Sequence, residues 1–180
     1  MKKVTIIKSS FRNNSNSNLL TDKFIEGLKE NNNAIKVIEL KSLILKFCNG
    51  CLACSKLKKC VINDDMNSLY DEISNSDVLV FASPIYYYDV SGQLKTFLDR
   101  LNPLFFRDNK FKEVYLILTS AEEDNSTMDV AISSVNGWIS CFENLKLVDV
   151  IKGLGANEKK EILSHQDLLD ESYNLGKSIR

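Results

Sequence analysis

The feature of this sequence that most constrains its fold is an alternation of short apolar runs with segments of helical periodicity. Five apolar runs, rich in β-branched residues, predict strands buried on both faces of a sheet. These runs cover residues 4–7, 35–40, 78–82, 114–118 and 147–151. Because strands separated by helices can pair in parallel, the alternation predicts a parallel sheet with helices packed against it.

The segments between the runs carry apolar residues at every third or fourth position, which predicts helices. They cover residues 20–28, 66–73, 94–101, 128–142 and 166–176. Asp64 or Asp65 is predicted to cap the second helix, and Pro103 to stop the third. Cys141, on the fourth, is predicted to be a buried core thiol. Asp99 and Arg100 are predicted to form a structural pair or helix-end contacts.

The predicted fold class is α/β. Five strands fit a flavodoxin-like three-layer fold with a five-stranded parallel sheet, order 2-1-3-4-5, and helices on both faces. No repeat or linker divides the chain, so we expect a single domain over residues 1–180. Ligands bind outside the carboxyl ends of strands in such sheets. The loops after the first, third and fourth strands are therefore expected to form the site.

Composition limits the classes of function. Hydrophobic residues make up 44% and charged residues 26% of the chain, as in ordinary globular proteins. The formal net charge of -1 gives no bulk attraction to nucleic acid or to an anionic membrane. No apolar run approaches a signal sequence or the ~20 residues of a spanning helix. We therefore expect a cytoplasmic protein whose cysteines are reduced thiols or metal ligands.

The loop after the first strand, residues 9–18, is rich in hydroxyl and amide donors and holds one arginine. It contains no glycine, which excludes the glycine-rich dinucleotide and P-loop motifs. A helix N-terminus follows, and its free N–H groups and dipole favour an anion. The loop therefore fits one terminal phosphate, although a polar loop with a helix cap has the same composition.

The loop after the third strand carries three consecutive tyrosines, Tyr86, Tyr87 and Tyr88. Three neighbouring side chains cannot all point into one core, so some are expected to face the ligand crevice. Aromatic faces stack well on a planar heterocycle. The alternative is a tyrosine cluster at a subunit interface, and both interpretations can hold together.

Three motifs together resemble the NADPH-dependent FMN reductase family and the related iron–sulfur flavoproteins. Residues 9–12 read Ser-Ser-Phe-Arg where relatives have Gly-Ser-Pro-Arg. Residues 83–86 read Ser-Pro-Ile-Tyr, and residues 94–100 match a Leu-Lys-x-Phe-x-Asp-Arg helix. Residues 47–63 form a loop that carries four cysteines, and we call it the cysteine loop. It also matches the family, with family-like residues at positions 60–66. The resemblance covers most of the chain and weakens after the fourth strand.

The resemblance implies an oxidoreductase that binds FMN, takes electrons from NAD(P)H and passes them to a flavin, a quinone or another small acceptor. It also implies a homodimer or a dimer of dimers. No catalytic residue is implied, because the cofactor does the chemistry. The implied contacts with the FMN phosphate are Ser10, Arg12, Asn14, Asn16 and Ser17. The implied contacts with the ring are Ser83, Pro84, Ile85, Tyr86, Tyr87, Tyr88, Thr119, Ser120 and Ala121.

Four cysteines, Cys48, Cys51, Cys54 and Cys60, have the spacing C-x₂-C-x₂-C-x₅-C. The first three share the spacing of a bacterial ferredoxin run, so the four thiolates fit a [4Fe–4S] cluster. Zinc sites more often split their ligands into two separated pairs. The third interpretation of the four cysteines is that they are ordinary thiols without a metal. An iron–sulfur flavoprotein in electron transfer, with a protein partner, is therefore the alternative function, and a non-catalytic flavodoxin-like carrier is another.

Overall fold

Five parallel strands form the central layer of the protein, and a sixth short strand turns back onto one of them. The strands are β1 (Lys3–Lys8), β2 (Ala34–Glu39), β3 (Val78–Tyr86), β4 (Asp89–Val90), β5 (Glu113–Thr119) and β6 (Lys146–Gly153). In the computed structural model, which describes residues 1–180, the parallel strands lie in the order β2-β1-β3-β5-β6. This is the predicted order 2-1-3-4-5. The addition is β4, which pairs antiparallel with β3.

Helices cover both faces of the sheet, as predicted. They are α1 (Asn16–Lys29), α2 (Ala53–Leu57), α3 (Tyr70–Ser74), α4 (Gly92–Arg100), α5 (Asp129–Ile139) and α6 (Gln166–Ser178). Phe24 of α1 and Leu169 of α6 share one hydrophobic core with Val80 of the sheet. Phe81, the next residue of β3, joins α4 and α5 in the second core. The period of two along a strand thus divides β3 between two cores.

Helices α1 and α6 touch through their backbones. A Cβ atom on Gly176 would lie 2.1 Å from the carbonyl oxygen of Phe24, and one on Gly27 would lie 2.0 Å from that of Tyr173. Only glycine fits at these two positions. The position of α1 on the sheet is therefore fixed by α6.

Two predicted helices differ from the structure. The segment predicted as one helix over residues 66–73 is a 3₁₀ turn, Asp65–Ser68, followed by α3. Asp64 is its cap, since a carboxylate oxygen of Asp64 accepts from the backbone N–H of Met66 at 3.1 Å. The helix predicted over residues 128–142 corresponds to α5, which ends at Ile139. Cys141 therefore lies in the turn beyond α5 and is exposed, so the prediction that it is a buried thiol is wrong.

The segment 83–86, expected to be a loop, continues β3 to Tyr86. Pairing between β3 and β1 stops at Ala82, while pairing with β5 continues as far as Pro84 and Thr119. Pro84 therefore sits where one edge of the strand is free, and a missing N–H is tolerated there. None of the helices combines the length and the apolar character that a membrane crossing requires.

Candidate functional site

A cavity of about 320 Å³ opens at the carboxyl ends of the strands, and we call it the strand-end cavity. The loops after β1 and β5 and the end of β3 line it, as does the segment after β6. Eleven of the fourteen predicted cofactor residues lie in its wall. They are Ser10, Arg12, Asn16, Ser17, Pro84, Ile85, Tyr86, Tyr87, Thr119, Ser120 and Ala121.

The N-terminus of α1 lies in the wall of the strand-end cavity. Ser15 caps the helix, because its hydroxyl accepts from the backbone N–H of Asn18 at 3.2 Å. Ser17 lines the cavity, and its buried hydroxyl has no hydrogen-bond partner within the protein. Buried polar groups are almost always hydrogen-bonded, so an unpaired one in a cavity wall indicates a ligand. A phosphate at this helix N-terminus would satisfy the Ser17 hydroxyl.

Arg12 is the one charged residue in the wall of the strand-end cavity. Its Nη1 donates to the carbonyl oxygen of Asn157 at 2.8 Å, which joins the loop after β1 to the segment after β6. A guanidinium has five N–H donors, so four remain for a ligand. The side chain can therefore keep its hydrogen bond to Asn157 and donate to a phosphate at the same time.

The side chain of Asn16 links the start of α1 to the segment after β6, and both of its side-chain amide N–H groups are used within the protein. Its Nδ2 donates to the carbonyl oxygens of Ala156, at 2.9 Å, and Glu158, at 2.8 Å. Its Oδ1 accepts from the backbone N–H of Ile162 at 3.2 Å. The predicted contact of Asn16 with the phosphate therefore stays a prediction, and it would be made through the backbone N–H of Asn16 at the start of α1.

Three other predicted residues lie outside the wall of the cavity. Asn14 is exposed and takes a left-handed backbone conformation with φ 54°, which makes the turn before α1. Ser83 is fully buried, where its hydroxyl donates to the carbonyl oxygen of Pro84 at 2.8 Å and accepts from the backbone N–H of Ser91 at 2.9 Å. Tyr88 is exposed and lines a neighbouring pocket that shares Tyr87, Ser120 and Ala121 with the strand-end cavity. The structure therefore places Asn14 and Ser83 outside the cavity wall and Tyr88 at its margin.

The aromatic wall is a tight turn between β3 and β4. Tyr87 and Tyr88 occupy its two central positions with φ of 50° and 67°, which is uncommon for bulky residues. The carbonyl oxygen of Tyr88 accepts from the backbone N–H of Ala131 at 3.1 Å, and Asp89 accepts from the Ser134 hydroxyl at 3.0 Å. These contacts fix the turn on α5. Strained backbone of this kind concentrates at functional sites.

The sequence reasoning missed three residues of the wall: Ser15, Ala156 and Asn157. Ser15 lies in the polar loop that was singled out, and its role as helix cap is a common one for serine. Ala156 and Asn157 follow β6, whose carboxyl end lies at the same edge of the sheet as those of the other parallel strands. Applying the strand-end rule to the last strand as well would have found them.

A second, smaller cavity of about 30 Å³ has all four cysteines of the loop in its wall, and we call it the cysteine cavity. All of these thiols are free, Cys54 is buried, and Cys48 and Cys51 are exposed. No three Cys, His, Asp or Glu side chains converge on one metal-ion position. A tetrahedral zinc site requires such convergence. In a [4Fe–4S] cluster each thiolate binds a different iron.

Arg100 joins the cysteine loop to α4 from inside the protein. Its side chain and that of Asp64 are both fully buried and form a two-pronged ion pair, with 2.9 Å between Nη2 and Oδ1. The guanidinium also donates to the carbonyl oxygen of Lys46 at 2.7 Å and reaches the Cys60 sulfur at 3.5 Å. Both ends of the cysteine loop are therefore held by one side chain.

The expected pairing of Asp99 with Arg100 is wrong. Asp99 pairs with Lys95, four residues earlier on the exposed face of α4, at 2.7 Å. Burial would raise the pKa of Asp64, but the hydrogen bonds and charge of Arg100, with backbone N–H donors, hold that pKa below its usual value. The pKa of Arg100 is raised: burial would lower it, and the Asp64 carboxylate outweighs that effect.

An apolar groove of about 680 Å³ lies beside the strand-end cavity, with Tyr86 in the walls of both. Its other apolar members include Phe11, Ile44 and Phe47, and the Phe47 side chain is 80% exposed. No charged residue lines it. Exposed apolar side chains gathered in one groove are typical of an interaction site.

The model of a family described as NADPH-dependent FMN reductase matches residues 2–139. An iron–sulfur flavoprotein from Methanocaldococcus jannaschii is 33% identical over 183 residues, which covers 98% of this chain and 95% of that protein. Another, from Archaeoglobus fulgidus, is 34% identical over 103 residues, which covers 57% of this chain and only 46% of that protein.

Among solved structures, an NAD(P)H:quinone oxidoreductase from Methanothermobacter marburgensis superposes with a TM-score of 0.79. The match covers 99% of this chain and 96% of that one, at 15% sequence identity. At that identity the superposition establishes the shared fold.

Proposed function

The chain belongs to the NADPH-dependent FMN reductase family, and from this we propose that the strand-end cavity holds FMN while NADH or NADPH is oxidised there. Members of this family are NAD(P)H-dependent FMN oxidoreductases, and this protein is one of them. The electrons are proposed to leave for a flavin, a quinone or another small acceptor. The observation that carries the proposal is the buried, unpaired Ser17 hydroxyl beside Arg12 in the wall of that cavity.

The residues present fit an FMN molecule at both ends of the cavity. Ser17, Arg12 and the N-terminus of α1 match a terminal phosphate. Tyr86 and Tyr87 offer aromatic faces at the other side. When bound, FMN supplies the hydride-accepting chemistry, and the protein supplies position and electrostatics.

Hydrogen bonds among three buried serines, Ser9, Ser83 and Ser91, connect the strand ends that border the cavity. The Ser9 hydroxyl donates to the carbonyl oxygen of Ala82 at 2.9 Å, which joins the end of β1 to β3. Ser91, the cap of α4, lies 2.9 Å from the same hydroxyl. Ser91 in turn donates its backbone N–H to Ser83. These side chains lie behind the cavity wall and hold the strand ends together without contacting the ligand.

We expect Arg12→Ala to weaken FMN binding about 10- to 150-fold, because a charge-assisted hydrogen bond contributes roughly 1.5–3 kcal/mol. Ser17→Ala should weaken it less, since a neutral hydroxyl is lost. Titration by the quenching of flavin fluorescence measures both. Lys36→Ala, which removes an exposed cation from β2, is the control. Equal affinities for the Arg12→Ala variant and the native protein would show that the phosphate lies elsewhere.

The proposed activity is tested by anaerobic mixing of the FMN-loaded protein with NADH and with NADPH. At least one of them should bleach the flavin absorption band, and an added quinone should restore it. If dithionite bleaches the flavin and neither nicotinamide does, the protein is an electron carrier instead.

We further propose that the four-cysteine loop binds a [4Fe–4S] cluster. The supporting observation is that all four cysteines line one cavity, where two of their sulfurs face N–H donors from Arg100 and Asn102. The near full-length similarity to an iron–sulfur flavoprotein supports the same proposal.

Anaerobic preparations should therefore be brown and contain about four irons per chain. Cys51→Ser should lose the iron and keep the FMN, because Cys51 lines the cysteine cavity and not the strand-end cavity. Cys141→Ser is the matched control, since Cys141 is exposed and lies far along the chain from the loop. Iron-free native protein whose four loop thiols all react with a thiol reagent would contradict the cluster.

We propose that two chains pair through the apolar groove that adjoins the strand-end cavity. The exposure of Phe11, Ile44 and Phe47 supports an interface at this face. Light scattering should then give at least twice the chain mass of 20.4 kDa, and Phe47→Ser should lower it. A native protein at the single-chain mass would contradict this pairing.

A further inference from the structure

Asn102 reaches the cysteine cavity although it is not one of the proposed cluster ligands. Its Nδ2 lies 3.0 Å from the sulfur of Cys54, and the residue lines the same cavity. Cys54 is the one buried cysteine of the four. The contact therefore places an N–H donor on the sulfur that is best shielded from water.

The local sequence fixes this side chain. Helix α4 ends at Arg100, and Pro103 follows two residues after the buried Leu101. Proline does not continue an α-helix, and the chain goes on as a 3₁₀ turn, Asn102–Phe106. Asn102 is half-buried at the start of that turn, facing α2, which carries Cys54. Its amide is held by the fold and is not a mobile surface group.

The donors are distributed unevenly among the four sulfurs. Cys54 faces Asn102, and Cys60 faces Arg100, whereas Cys48 and Cys51 are exposed. The charge of Arg100 is already matched by its buried carboxylate partner. Asn102 is therefore the donor that can be changed without breaking a buried ion pair.

We propose that Asn102 raises the reduction potential of the [4Fe–4S] cluster through its N–H···S hydrogen bond to Cys54. This inference rests on the proposed cluster. An electron added to the cluster increases the negative charge on the cysteine sulfurs, and a hydrogen bond to a sulfur stabilises that charge. The burial of Cys54 strengthens the effect, because a hydrogen bond shielded from water is electrostatically stronger. Asn102 is thus a positioning residue that acts through a ligand.

The test compares Asn102→Ala with Asn102→Asp in anaerobic protein that carries FMN and iron. Alanine removes the donor, and aspartate keeps the size of the side chain but places a carboxylate next to the sulfur. Dithionite is the reductant, and the paramagnetic signal of the reduced cluster is followed against the ambient potential. Asn63→Ala, an exposed asparagine near the end of the cysteine loop, is the control.

The potentials should fall in the order native, alanine, aspartate. At a fixed potential, the ratio of reduced to oxidised cluster should be about tenfold lower in Asn102→Ala than in the native protein. This corresponds to a reduction potential about 59 mV lower for one electron. Equal potentials in iron-loaded native and variant proteins would overturn the inference and leave the cluster intact. Loss of iron from both variants would assign Asn102 to packing and overturn it as well. Iron-free native protein would instead refute the cluster and, with it, this inference.

Discussion

Arg100→Leu is expected to lower the free energy of unfolding by about 3–5 kcal/mol, because it leaves a buried carboxylate without its charged partner. The side chains of Arg100 and Asp64 are both fully inaccessible to water. The variant also frees the carbonyl oxygen of Lys46, so the cysteine loop should loosen. Urea unfolding followed by circular dichroism, at a fixed FMN concentration, measures the loss.

A double variant distinguishes the cost of leaving one buried charge unpaired from the cost of removing both side chains. Arg100→Leu with Asp64→Leu should recover much of the stability, since removing both charges leaves no unpaired ion, whereas removing one does. Lys95→Ala, which breaks an exposed pair on the same helix, should cost at most about 1 kcal/mol. A loss of that small size for Arg100→Leu would show that the buried pair contributes little.

The same pair predicts how stability depends on pH. The pKa of Asp64 is lower in the folded protein than in the unfolded chain. The unfolded carboxyl therefore takes up protons first as the pH falls, so the pair's contribution is complete only above the ordinary aspartate pKa of about 3.9. The contribution is lost as the pH falls through the folded pKa. Asp64→Asn should therefore flatten the acid side of the stability profile.

The fold was predictable because it depends on periodicity, which is local information. The five parallel strands and their order follow from apolar runs that alternate with helical segments. The partner of Arg100 was not predictable in this way. Adjacent residues on a helix point in different directions, so Asp99 cannot reach Arg100, whereas Asp64 lies 36 residues away. The pairing of distant charges depends on packing that no local pattern records.

The strand-end cavity was predictable to the level of loops and less so to the level of side chains. The carboxyl ends of parallel strands meet at one edge, which brought Ser17 and Thr119 together as expected. Ser83 belongs to the right segment, but it continues a strand and its side chain turns inward. Asn16 also lies in the right loop, and its side-chain amide N–H groups donate to carbonyl oxygens of the segment after β6. Side-chain direction and competing hydrogen bonds decided these cases.

Gly176→Ala is expected to destabilise the protein by about 3 kcal/mol or more, at the upper end of the cost of overpacking. The added Cβ would lie 2.1 Å from the carbonyl oxygen of Phe24, a backbone atom that cannot rotate away. Helix α6 would therefore have to move off α1. Gly137→Ala is the matched control, because Gly137 is an exposed glycine inside α5 with open space around its Cβ position. It should gain about 0.5–1 kcal/mol from helix propensity.

The same substitution should weaken FMN binding, although Gly176 does not line the strand-end cavity. Helix α1 begins with residues that line that cavity and that we propose bind the phosphate, and its placement depends on close contact with α6. A shift of α1 displaces the Ser17 hydroxyl and the helix N-terminus from the phosphate together. Fluorescence titration of folded Gly176→Ala, at a temperature below its unfolding transition, measures this effect. Native affinity in a destabilised Gly176→Ala protein would show that the start of α1 is held by other contacts, such as those of Asn16 with the chain after β6.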